Sequence, residues 1–343
     1  MRIAQVAPLF ESVPPRRYGG TERVVHWLTE ELAAMGHEVT LFASGDSRTS
    51  ARLIPARARA ERFMPNFERN AAPYARMIEL VRRHADEFDV LHFHIDFHPF
   101  SVFSRQDTPF LTTLHGRLDQ PWVPEVYDLF PRVPLVSISD AQRAPLPHAR
   151  WAGTVLHGMP TGLLTPQPVE RHDHLAFLGR ISPEKGIVDA IEIARQVGCP
   201  LQVAAKIGEE DKTYYRTTVA PLLHGTAQYL GEIDDAEKPA FLSGARALLF
   251  PIDWPEPFGL VMIEAMACGC PVIAYDRGSV REVVEEGVTG FVVRNVAEAV
   301  AACAQAERLD RARVRRRFEE RWSARRMAQG YLDLYERLVA GAG

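Results

Sequence analysis

Two loops in the second half of the chain gather side chains suited to holding a diphosphate and a polyol. The first lies in Phe177-Leu178-Gly179-Arg180-Ile181-Ser182-Pro183-Glu184-Lys185-Gly186, after an apolar run and before a helix-period run. Arg180 and Lys185 can grip a diphosphate there, the arginine through its planar fork and the lysine as a point charge. The spacing fits neither Gly-x-Gly-x-x-Gly nor Gly-x4-Gly-Lys-[Ser/Thr], which excludes the dinucleotide and P-loop readings. Alone, the loop also fits a solvated Glu184–Lys185 surface pair.

The second loop lies within Phe250-Pro251-Ile252-Asp253-Trp254-Pro255-Glu256-Pro257-Phe258-Gly259-Leu260, which runs on to Glu264 and Ala274. The pattern predicts a strand, a proline-rich loop, a short helix starting near Phe258-Gly259, a glycine stop and a further strand. Unpaired N–H groups and the dipole at such a helix start favour an anion, and Gly259 allows close approach. Glu256 falls in the loop and Glu264 about one turn into the helix, so both can face one pocket. A carboxylate can accept hydrogen bonds from two adjacent hydroxyls. Acids at a helix start also simply complement its dipole.

The elements that must position these residues are legible as alternating periods. Predicted strands at Ile3–Ala7, Val39–Phe42, Val90–His94, Phe110–Leu114 and Leu135–Ile138 surround a helix from about Thr21. A Pro-, Gly- and Thr-rich stretch at 160–168 reads as a linker. Beyond it the rhythm restarts, with strands at Leu175–Leu178, Leu201–Ala205, Ala227–Leu230, Ala247–Phe250, Val272–Ala274 and Phe291–Val293. Strands alternating with helices predict an α/β chain with parallel sheets, whose ligands bind beyond the carboxyl ends of strands.

At 343 residues, two domains are the natural expectation. A formal charge of −4 gives no reason to expect a nucleic-acid partner. Cys199, Cys268, Cys270 and Cys303 form no Cys-x-x-Cys pair, and free thiols fit a cytoplasmic protein. No segment reaches the roughly 20 apolar residues of a spanning helix.

Glu256 and Glu264 form a Glu-x7-Glu motif, preceded by Gly179-Arg180 and Glu184-Lys185-Gly186. With Tyr18-Gly19-Gly20-Thr21-Glu22-Arg23, Gly36-His37-Glu38-Val39-Thr40, Thr112-Thr113-Leu114-His115-Gly116 and Pro271-Val272-Ile273-Ala274, the chain resembles the retaining glycosyltransferase family 4. The resemblance implies the GT-B fold: two Rossmann-like lobes with parallel sheets facing a central cleft. It implies an acceptor-side lobe over 1–163, a donor lobe over 170–322, and a final helix at about 325–343 that packs back on the first lobe. The implied reaction moves a hexose from a nucleoside diphosphate sugar to a hydroxyl acceptor, with retention and without a metal or other cofactor. UDP or GDP is the expected carrier; the acceptor could be a carbohydrate, a lipid-linked group or a small molecule.

By the same resemblance, Arg180 and Lys185 would bind the diphosphate with the backbone at Phe258, Gly259 and Leu260, and Gly20 would close over it. Glu264 would hold the ribose, Ile233 would touch the base through its backbone, and Glu256 would face the hexose. His115 would act at the sugar from the first lobe. Where the family often has Asn-Gly-Val, this chain has Leu156-His157-Gly158-Met159, so His157 receives no role. A nucleotide-sugar epimerase, a phosphorylase and a non-catalytic donor-binding subunit are the rival readings on this scaffold.

Three further features take plainer readings. His92, His94 and His98 lack an evident fourth ligand for a metal site. The run Arg308–Arg326, with nine arginines against three acids, reads as a solvated helix rather than a peripheral membrane contact. Trp122 and Tyr127 suit either stacking on a sugar or packing beneath their loop.

Overall fold

The computed structural model describes residues 1–16, 19–63 and 71–341. Tyr18 of the Gly-Gly motif lies outside them. The chain divides into one unit of Met1–Met159 with Ala324–Gly343, and a second of Pro160–Ser323.

The first unit opens with β1 (Arg2–Val6), α1 (Gly20–Ala34), β2 (Glu38–Ser44), β3 (Arg52–Arg57) and α2 (Ala72–Arg83). It continues with β4 (Val90–Phe93), α3 (Phe100–Phe103), β5 (Phe110–Thr113), α4 (Trp122–Tyr127), β6 (Leu135–Ser137) and β7 (Trp151–Thr154). Among the described residues these strands form one parallel sheet in the order β3-β2-β1-β4-β5-β6-β7. The central strands read as apolar runs because both faces are covered, and every residue of β4 and β5 is buried.

The second unit runs β8 (His174–Arg180), α5 (Ile187–Val197), β9 (Leu201–Lys206), α6 (Lys212–Tyr214), β10 (Ala227–Gly231) and α7 (Lys238–Gly244). After β11 (Ala245–Phe250) come α8 (Leu260–Ala267), β12 (Val272–Tyr275), α9 (Val280–Val283), β13 (Gly290–Val293), α10 (Val296–Ala306) and α11 (Arg311–Arg321). Its parallel sheet has the order β10-β9-β8-β11-β12-β13. Each sheet therefore reverses direction once, between β1 and β4 and between β8 and β11. Such switch points leave a crevice beyond the carboxyl ends of the two strands.

The final helix, α12 (Ala324–Gly341), belongs to the first unit. Its Met327, Tyr331, Leu334 and Tyr335 are buried, and Gly153 of β7 leaves room for Leu334, which a Cβ there would strike.

The arginine-rich run forms two helices rather than one solvated element. Val314, Phe318 and Trp322 are buried. Arg311 donates to the carbonyls of Ala245 and Arg246, and Arg315 to those of Thr161, Leu164 and Ala267. Arg317 pairs with Glu285 at 2.7 Å. These three arginines thus tie the second unit together. Among the described residues no helix is long and apolar enough to cross a membrane.

Candidate active site

Arg180 is the last residue of β8, and Lys185 lies in the single turn that follows it. Gly186, at φ 71, ends that turn and starts α5; a Cβ there would meet the carbonyl oxygen of Pro251 at the end of β11. Only glycine accepts both the conformation and the approach. The amide of Asp253 donates to the carbonyl of Glu184 at 2.9 Å, so the loops after β8 and β11 are fastened together.

The second loop is pinned from its other side. The Ser279 amide donates to the Glu256 carbonyl at 3.0 Å and its hydroxyl to the Phe258 carbonyl at 2.9 Å. Gly278, at φ 54, lies so close to Glu256 that a Cβ would collide with its backbone. Gly259, at φ 81, precedes Leu260 at the start of α8. The eight residues of α8 are apolar around nearly the whole circumference, so the helix sits inside the unit and presents only its first turn.

The side chains then sort into charge pairs that sequence spacing did not show. Lys185 Nζ donates to Glu256 Oε2 at 2.6 Å and lies 4.5 Å from the ring centre of Trp254, whose Nε1 donates to the same oxygen at 3.1 Å. Glu184 does not pair with Lys185: it accepts from Arg180 at 2.7 Å and from Ser182 at 2.7 Å. Burial pushes the Glu184 carboxyl up, but these hydrogen bonds prevail and hold it below its usual range. Arg180 also faces Glu210 at 3.3 Å and Asp211 at 3.5 Å. Burial pushes the Asp211 carboxyl up.

Glu264 accepts from Lys238 Nζ at 2.7 Å through Oε1, and Lys238 reaches Asp235 at 3.1 Å. Nothing in the sequence singled out Lys238, because its partner lies on another helix. Both motif glutamates are nearly buried, Glu256 at 8% and Glu264 at 5% exposure. Each is held through one oxygen, and among the described residues the other oxygen has no partner. Ile233 stands two residues beyond β10 and is half-buried. A groove lined by Asp189, Tyr275, Arg277 and Asn295 shares Pro183 and Gly186 with the loop that carries Lys185 but includes none of the four motif charges.

In the first unit, Gly20 is the first residue of α1, and His115 follows β5 by two residues. His115 is the end of a buried chain of hydrogen bonds. Its Nε2 lies 2.9 Å from His94 Nδ1, and His94 Nε2 lies 2.8 Å from Gln5 Oε1. Gln5 Nε2 donates to the Tyr335 hydroxyl at 3.0 Å, which lies 2.7 Å from His92 Nδ1. His92 Nε2 is 2.7 Å from Thr113 Oγ1, which donates to the Tyr331 hydroxyl at 3.0 Å. With the Gln5 carbonyl oxygen toward His94, the protons run one way: His94 donates from Nε2 and receives from His115 Nε2–H.

His92 and His94 are thus structural members of a relay, and His98 stacks on Tyr74 at 4.5 Å. His157, given no role from sequence, stacks on His115 at 5.3 Å. Burial lowers the His115 pKa to about 3 and those of His92, His94 and His157 well below the usual value. All four rings are therefore neutral at physiological pH.

Comparison with known proteins places this geometry. The model described as Glycosyltransferase Family 4 matches residues 18–180, and that described as Glycosyl transferases group 1 matches 167–323. A phosphatidyl-myo-inositol mannosyltransferase of Mycobacterium leprae is 27% identical over 329 residues, covering 85% of this chain and 83% of its own. Among solved structures, sucrose-phosphate synthase of Thermosynechococcus elongatus aligns with a TM-score of 0.81 at 20% identity, covering 99% of this chain and 100% of its own. Anabaena HepE in complex with UDP and glucose aligns with a TM-score of 0.75 at 17% identity, covering 98% of this chain and 100% of its own. With the two family models spanning both units and two parallel sheets of Rossmann order, the chain belongs to the family 4 type of glycosyltransferases with the GT-B fold.

Proposed function

We propose that this glycosyltransferase moves a hexose from a nucleoside diphosphate sugar to a hydroxyl acceptor with retention of configuration, the leaving charge being met by protein cations. The carrying observation is the pairing of Glu256 and Glu264 through one oxygen each, which leaves a second oxygen on each for ligand hydroxyls. Glu256, beside Lys185, suits the hexose. Glu264, deeper in α8, suits the ribose, with Ile233 beside the base.

As the sugar–phosphate bond breaks, negative charge grows on the diphosphate. Lys185, Arg180 and the amides of Phe258, Gly259 and Leu260 would stabilise it, and preorganised donors of this kind are among the largest catalytic terms. An entering diphosphate would replace Glu184 and Glu210 as the partner of Arg180. The departing phosphate oxygen can take the acceptor's proton on the face it leaves, which gives retention without a carboxylate nucleophile. A neutral His115 would hold a hydroxyl of the hexose.

Thermal shift against UDP-, GDP-, ADP- and TDP-sugars tests the reading. One carrier is expected to stabilise the chain, and Lys185→Ala to abolish that shift. No shift with any carrier would overturn the proposal. Release of an epimerised free sugar, or phosphorolysis without acceptor, would assign the site to a different reaction.

A further inference from the structure

The first unit carries a carboxylate and an aromatic face that the donor reading does not use. Asp96 lies three residues beyond β4, at φ 49, the one non-glycine residue of positive φ among those described. Aspartate is one of the few non-glycine residues that adopt this left-handed conformation. Asp96 is exposed as a residue, and no donor or cation pairs with its carboxylate among the described residues. The surrounding protein pushes its pKa up to about 6.

Trp122 begins α4 and is 45% exposed. Phe97, next to Asp96 in sequence, meets its ring edge-to-face at 5.6 Å and 72°, which ties the indole to the segment that carries Asp96. Tyr127 differs: it is buried and packs edge-to-face on Phe100 at 5.6 Å, so it belongs to the core. Strand order supplies the location. β4 pairs with β5, and His94 of the β4 end bonds His115 of the β5 end.

We infer that Asp96 and Trp122 form an acceptor subsite for a pyranose ring, the indole taking the C–H face and the carboxylate two adjacent hydroxyls. This rests on the glycosyltransferase reading above and adds to it the class of acceptor, a carbohydrate. An indole offers a flat apolar surface at little entropic cost, and a carboxylate accepts the donors of neighbouring equatorial hydroxyls. A linear polyol has the hydroxyls but no ring face.

Saturation-transfer difference NMR of the full chain with methyl α-D-glucopyranoside, methyl α-D-mannopyranoside and sorbitol tests it. Ring protons of at least one pyranoside should receive saturation, and sorbitol should not. Trp122→Ala and Asp96→Gly should each cut the signal at least about fivefold, while Trp122→Phe retains most of it. Trp122 is exposed and glycine accepts the Asp96 backbone, so both variants fold, as circular dichroism will show. No pyranoside signal, equal signals in the variants, or equal binding of sorbitol would overturn the inference. Nucleotide-induced thermal shifts measured on the same samples fail only if the donor reading fails, which separates the two.

Discussion

Lys185 and Glu256 come from loops 71 residues apart in sequence and meet at 2.6 Å. Neither can be lost without leaving the other's charge misplaced. Lys185→Ala and Glu256→Gln are each expected to lower transfer at least about 100-fold, with melting temperatures near that of the parent chain. Turnover assays paired with melting curves check this, and normal turnover in either variant would remove the pair from the machinery. Asp96 makes a different prediction. A carboxyl whose native pKa rises from 3.8 to about 6 binds its proton more tightly folded than unfolded. Its ionised form therefore lowers stability above about pH 6, and that penalty vanishes below about pH 4. Tyr74 and Tyr127 face it, and burial pushes both above their usual range, so neither titrates in this window. Asp96→Asn, which tolerates positive φ, should melt above the parent at pH 7.5 and level with it at pH 4. A pH-independent difference would contradict the raised pKa.

At the scale of elements, the site depends on turns more than on helices. Gly186 brings the Lys185 turn against the end of β11, and Gly278 holds the Glu256 loop. Gly186→Ala should cost about 3 kcal/mol, combining positive-φ strain with a backbone collision, and should abolish the nucleotide-induced shift. Denaturant unfolding gives the first quantity and thermal shift the second. In the first unit, α12 contributes the Tyr335 hydroxyl that joins Gln5 to His92. Tyr335→Phe leaves both partners buried and unmatched, a loss of about 1–3 kcal/mol. Because the relay ends on His115, the variant should also lower turnover more than donor affinity. Unchanged stability and turnover would show that the chain of hydrogen bonds is dispensable.

For the whole molecule, the return of α12 to the first unit makes that unit discontinuous in sequence. Deleting Ala324–Gly343 would strip Met327, Tyr331, Leu332, Leu334 and Tyr335 from its core. Large-to-small losses of about 2–5 kcal/mol per side chain exceed the stability of a typical domain when summed. Calorimetry of the truncated chain should therefore lose the first unit's transition, while nucleotides still stabilise the second. A two-unit melt preserved after truncation would refute this dependence.

Local pattern sufficed for the strands near the switch points and for the start of α8, and it singled out Arg180, Lys185, Glu256 and Glu264 as candidates. Each is announced by neighbours within a few positions, through apolar runs, glycine stops and helix-start chemistry. β3 and β7 escaped. β3 is a half-exposed edge strand carrying Pro55, and β7 is a short Trp-Ala-Gly-Thr run with no alternation. The pairing of charges was equally hidden, since Glu184 turned to Arg180 and Lys185 to Glu256. So were Lys238 on Glu264, the relay from Gln5 to His115, and the edge-to-face contact of Phe97 with Trp122. These contacts join residues that sheet order and a returning helix bring together, up to 330 positions apart for Gln5 and Tyr335. Short-range periodicity determined which segments become strands and helices; only packing in three dimensions decided which side chains meet at their ends.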